Sequence, residues 1–187
     1  MSRPVEGSLN WLLARVALVI SILCFTWQPA NSDWAGLPTR QGPPPETTPG
    51  VPHTQIGAEQ IPELSTEILR RVAALPGVEI RPTVIGQWGT KGFWIGETVA
   101  LASPKAIYRG REFAHLHPDG SLHASLPPER AAQAVAAGWA VYHPSAQYHE
   151  RLRGFVMLFA PRTADEVEVT IGLIVDGYSF VVGARPD

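Results

Sequence analysis

The chain has 187 residues and a mass of 20.3 kDa. It is 45% hydrophobic and 17% charged, with net charge −2, 18 prolines, 17 glycines and one cysteine. That balance excludes the basic surface of an electrostatic nucleic-acid binder, and one cysteine excludes an intramolecular disulfide framework or a cysteine-rich metal site. The charge content is below the ~25% usual in soluble proteins, so an apolar or proline-rich part must dilute it.

Residues 16–27 (VALVISILCFTW) carry no charge, with Arg3 and Arg15 before them. Twelve residues are short for a span, which needs ~20. Two readings of 1–27 stand side by side. One is a signal peptide with Ala30, Asn31 and Ser32 as the cleavage site. The other is a single-pass membrane anchor with Trp11, Trp27 and Trp34 near the interfaces. Both keep the arginines inside and export the rest, to the periplasm or exterior. Seven of the thirty residues in 28–57 are proline and no apolar period appears. This composition predicts a polyproline or disordered linker.

Residues 58–187 read as one domain. In 61–75, Ile61, Leu64, Ile68, Val72 and Leu75 form a helical stripe, stopped by Pro76 and Gly77. Strands are expected at 78–85 and 93–101. Residues 113–117 and 122–126 flank an Asp-Gly turn, a hairpin signal. Pro127, Pro128 and Glu129 open a short helix that Gly138 ends. Residues 139–142 form a short strand, and the unbroken apolar run 154–160 a strand buried on both faces. Thr163 to Glu166 fits a capping box before a helix burying Val167, Ile171, Ile174 and Tyr178. The order predicts an α+β domain with a mixed or antiparallel sheet and helices on one face, preceded by an N-terminal hydrophobic helix and the proline-rich linker. Residues 1–57 hold Arg3, Arg15 and Arg40 against Glu6, Asp33 and Glu46, so the whole −2 belongs to 58–187.

Five of the six histidines lie in that domain. On a strand His115 and His117 share a face. A four-residue connection would pair His117 with Leu122 and turn His123 away. A five-residue one would pair His117 with His123 and gather all three. Three imidazoles on one face suit zinc, iron or copper. The plain alternative is that they hydrogen-bond within the fold or meet solvent. Arg111 is a candidate to neutralise an anion and Glu112 to orient an imidazole; otherwise they form an exposed ion pair of little worth. Trp139 and Tyr142 are candidate pocket walls, with core packing an equal reading for Trp139. Arg162 faces a pocket or caps its loop. Asp119 and Gly120 are explained by the turn. There is no G-x-S-x-G, phosphate loop or H-E-x-x-H signature.

Taken together, the run from Arg111 to His117, then Ser121 to His123, Gly138 and Trp139, His143 and Pro144, and Leu158 to Arg162 resembles the luciferase domain of the fungal bioluminescence system. That domain also occurs in bacterial proteins. The resemblance spans about 110–180, under half the chain. It implies oxidation of a hydroxylated styryl-pyrone by molecular oxygen through a cyclic peroxide that loses carbon dioxide, with no metal or organic cofactor required. An amino-terminal hydrophobic segment also occurs in the fungal enzyme. On this resemblance the expected catalytic set is His115 or His117 as base, Arg111 as anion stabiliser, and His123 and His143 as proton relays. Trp139, Tyr142, Glu112 and Arg162 are expected on the substrate side. Three functions follow as expectations: an oxygenase acting on an enolisable pyrone-like or aromatic molecule, a small-molecule or envelope-associated binding module without chemistry, and a histidine metal site.

Overall fold

The computed structural model describes residues 36–186. The apolar segment 16–27, and with it the expected N-terminal helix and the choice between anchor and signal peptide, lies outside the described residues. Among those residues no helix is long and apolar enough to cross a membrane.

The chain order is α1 (Pro62–Ala73), β1 (Val78–Pro82), β2 (Lys91–Ile95), β3 (Glu112–Leu116), β4 (Leu122–Ser125), α2 (Pro128–Ala136), β5 (Ala140–Tyr142), β6 (Phe155–Leu158) and α3 (Ala164–Val182). The strands form one six-stranded sheet in the order β1-β2-β3-β4-β6-β5, antiparallel at every pairing. The architecture is α+β, and of the two sheet types expected it is the antiparallel one.

Local chemistry explains the elements. Helix α1 has proline in its first turn, Glu63 beside it and Arg70 and Arg71 at its end, each sign where the helix dipole favours it. Helix α3 starts at Thr163, whose hydroxyl accepts the Glu166 N–H, and ends at Gly183 in the left-handed region. Strand β2 stops at Ile95, short of the expected 101, because Gly96 N–H turns to the Gly77 carbonyl at 2.7 Å.

Alternation along the strands sorts the two faces of the sheet. Ala114, Leu116, Leu122, Ala124, Val156 and Leu158 join the apolar core with buried residues of the helices, including Val72, Ala131, Val167 and Ile174. Arg130 of α2 bonds Asp176 of α3 at 2.8 Å, tying those helices together. His115, His123 and Met157 are directly paired across β3, β4 and β6, so they project from the other face.

The segment 36–57, read from its prolines as linker, lies against this domain. Arg40 is buried and bonds the Ala160 carbonyl and Glu166 at 2.9 and 3.0 Å. Thr47 bridges Gln55, and Gln55 accepts the Ala160 N–H at 3.0 Å. Proline removes main-chain donors but does not prevent side-chain anchoring, and these anchors hold the segment over the sheet.

Candidate functional site: a cavity walled by imidazoles

The β3–β4 hairpin settles the histidine register. His115 pairs with His123 and Leu116 with Leu122, and His117 N–H bonds the Ser121 carbonyl at 2.8 Å. The connection is therefore Pro118, Asp119 and Gly120, with Gly120 at φ +86°, the left-handed residue a three-residue loop demands. It is shorter than both expected loops. It differs from the five-residue register by two positions, which preserves faces, so His115, His117 and His123 do gather.

A register shift between Phe93 and Trp94 adds Glu112 to the set. Regular strand would send positions 112 and 115 to opposite faces; the bulge brings both to one side. Gly92 faces this point, where a Cβ would sit 3.1 Å from the Glu112 carboxyl carbon. The buried Glu112 carboxylate accepts the Thr83 hydroxyl at 2.7 Å and the Val84 N–H at 2.9 Å. His115 Nδ1 lies 2.8 Å from Glu112 Oε1, a close approach without hydrogen-bond alignment.

Five imidazoles converge on a cavity of about 280 Å³: His53, His115, His117, His123 and His143, with Tyr108 and Phe155 as aromatic walls. All five histidines are buried. His53 reaches in from the 36–57 segment, with Nδ1 3.1 Å from His123 Nε2 and its ring stacked on that of His123. His123 Nδ1 is 3.0 Å from His115 Nε2. A hollow of about 530 Å³ beside α1 and α3 is larger, but it is lined by Arg70, Arg71 and Arg185, whose guanidiniums pair with Glu67, Glu168 and Asp176. The imidazole cavity is where five titratable rings meet on one hollow and, among the described residues, only His115 and His117 have a carboxylate near them.

The hydrogen bonds assign tautomers. Ser121 gives its hydroxyl proton to Asp119 Oδ1 at 2.7 Å, since a carboxylate only accepts. Its oxygen then accepts His117 Nδ1–H at 2.9 Å, leaving Nε2 as the lone-pair nitrogen of His117. His143 is the reverse: its Nδ1 accepts the Ser145 N–H at 3.0 Å, so neutral His143 carries its proton on Nε2. Desolvation by burial, then the neighbouring imidazoles, holds His117 down at about 3 and His143 at about 4. The same causes push His123 well below the ordinary range, and burial lowers His53. These four are neutral at pH 7, with the protonated form disfavoured in the empty cavity.

The expected residues divide. His115, His117, His123 and His143 come together, with Glu112 behind His115. Arg111 does not join them. Its guanidinium donates to the carbonyls of Ile95 (2.8 Å), Gly96 (2.9 Å) and Val99, fixing the turn after β2. Trp139 is buried in another place, with Nε1 on the Pro38 carbonyl and the Arg40 guanidinium over its ring. Tyr142 is partly exposed beside Ala146 and Arg153, and Arg162 pairs with Glu166 and the Gln41 carbonyl. None of those four lines the imidazole cavity. Sequence reasoning missed His53, which lies 70 residues from its contact, and the part of Asp119 and Ser121 in orienting His117.

Residues 110–175 match the family model described as the Luciferase domain, which is 66 of the 187 residues. The match includes His115, His117, His123 and His143 but not His53. No curated protein and no solved structure matches the chain.

Proposed function

We propose that the cavity binds a small enolisable aromatic molecule, pyrone-like in class, and presents it to molecular oxygen as a luciferase-domain oxygenase. The observation that carries this reading is that two histidines of opposed tautomer line one cavity, His117 with its lone pair on Nε2 and His143 with its proton on Nε2, beside aromatic walls. Substrate enters with an acidic enol. His117 Nε2 takes that proton, leaving an electron-rich anion whose charge beside the new imidazolium offsets the desolvation that disfavours protonation in the empty cavity. His143 Nε2–H donates to the oxyanion, where a fixed donor in a dry site has most effect. Oxygen accepts an electron pair from the anion's carbon, a C–O bond forms, and the peroxide takes back the proton from His117. Tyr108 and Phe155 stack the ring and exclude water, which would compete for the anion. The match over 110–175 supports the reaction class. We also propose that residues 1–27 export the domain, to be tested by fractionation.

The test is oxygen uptake by the intact protein across a panel of hydroxypyrones and related enols. Turnover is expected with at least one, and His117→Ala should lower it by about 10²–10⁴-fold, the usual worth of a general base. Saturable binding with no oxygen uptake across the panel would replace the oxygenase with a binding module.

A further inference from the structure

We propose that His115, His117 and His123 form a three-histidine centre for one divalent transition-metal ion, bound through His115 Nε2, His117 Nε2 and His123 Nδ1. Each residue offers a ring nitrogen within 4.8 Å of the other two, and all three are buried. His115 Nε2 and His123 Nδ1 are already 3.0 Å apart. A tetrahedral ion with bonds of about 2.0–2.1 Å holds its ligands about 3.4 Å apart, so the set closes on an ion with side-chain shifts of roughly an ångström.

The surroundings of each ring carry the argument. A metal-bound imidazole normally gives its other N–H to an acceptor, which fixes ring and tautomer. His115 has Glu112 Oε1 at 2.8 Å from Nδ1. His117 has Ser121 Oγ at 2.9 Å from Nδ1, backed by Asp119. His123 has His53 Nδ1 at 3.1 Å from Nε2. His117 and His123 thus have a hydrogen-bonded outer partner on the nitrogen opposite the one proposed to bind, and His115 has a buried carboxylate beside that nitrogen, within reach but not aligned as a hydrogen bond. The competing set, His53, His123 and His143, also lies within 4.8 Å. It fails on chemistry: His143 Nδ1 accepts the Ser145 N–H, so its Nε2 is protonated, and binding there would require an imidazolate.

Imidazole ligands suit zinc, iron, copper and nickel. Three neutral ligands and an open position give the catalytic rather than the structural pattern. The ion's charge is then balanced only partly, through Glu112 and Asp119, so the open position favours an oxyanion such as an enolate. An ion there takes the lone pair of His117 and itself acidifies the enol. The inference does not rest on the oxygenase reading, because metal uptake is read without substrate.

The test uses the untagged full-length chain, stripped with chelator and titrated with Co²⁺ alone. The expected result is a visible ligand-field band saturating at about one equivalent. X-ray absorption of the wild-type zinc form should count three imidazoles. The band should be lost in His115→Ala and His117→Ala and kept in His149→Ala, whose residue is exposed. Glu112→Gln should weaken binding by about 10–100-fold, the cost of an outer-shell partner. No uptake by folded wild-type protein overturns the proposal, as does uptake that survives the double variant His115→Ala/His117→Ala or a count other than three. The wild-type measurements decide the matter even where a variant does not fold. Metal uptake without oxygen consumption removes the oxygenase alone; oxygen consumption by wild-type protein that takes up no ion removes the metal centre alone.

Discussion

Lowering the pH from 8 to 5 should cost the metal-free fold about 4 kcal/mol through two histidines. Burial holds His117 at about 3 and His143 at about 4, against 6.5 for a free imidazole. At pH 8 both are neutral folded and unfolded, and neither contributes to the difference. Below 6.5 the unfolded chain takes up protons that the fold refuses until pH 4 or 3. Stability is therefore full above 6.5 and falls through the window from 6.5 to about 4. One refused proton costs about 1.4 kcal/mol per pH unit, so 1.5 units cost about 2 kcal/mol for each histidine. His123 and His53 act in the same direction. Against a total of about 5–15 kcal/mol for a typical domain, this loss is large. Urea unfolding of chelator-treated protein at pH 8, 7, 6 and 5 measures it, and His143→Gln should flatten the curve by about 2 kcal/mol. Stability constant from pH 8 to 5 would refute the picture of neutral, desolvated imidazoles.

Three further outcomes follow from other contacts. Glu166→Ala should destabilise by about 3–5 kcal/mol in thermal or urea unfolding, because it strands the buried guanidinium of Arg40. Gly154→Ala should lower the melting temperature by the equivalent of at least about 1–3 kcal/mol, since its Cβ would lie 1.8 Å from the Leu126 carbonyl oxygen, main chain that cannot rotate away. Ser121→Ala removes the oxygen that fixes the His117 tautomer; it should reduce oxygen uptake by up to about tenfold while the urea midpoint moves by no more than the ~1 kcal/mol of one hydrogen bond.

Much of the fold was legible because its signals are local. The stripe through Ile68 and Val72, the Thr163 cap and the unbroken run of β6 each follow from neighbours within a few residues. The histidine face was legible only up to a parity choice. The hairpin took a loop shorter than either alternative, and the shift by two returned the expected face. What failed was inference from nearness in sequence. Arg111 stands four residues from His115, yet its long side chain is held by carbonyls around the β2 turn. Trp139 was needed where the 36–57 segment crosses it. Glu112 reached the site through a bulge that no periodicity shows. His53 sits among prolines, and long-range anchors such as those at Arg40 and Gln55 bring it to His123.

The most direct measurement of the central claim is an anaerobic crystal structure of the full chain with a hydroxypyrone. The account predicts the ring packed against the wall formed by Tyr108 and Phe155, its enol oxygen within hydrogen-bond distance of His143 Nε2, and the His117 Nε2 side of the cluster, with or without an ion, facing the same oxygen. A pyrone bound away from the five imidazoles, or a cavity that stays closed to it at saturating concentration, would contradict it.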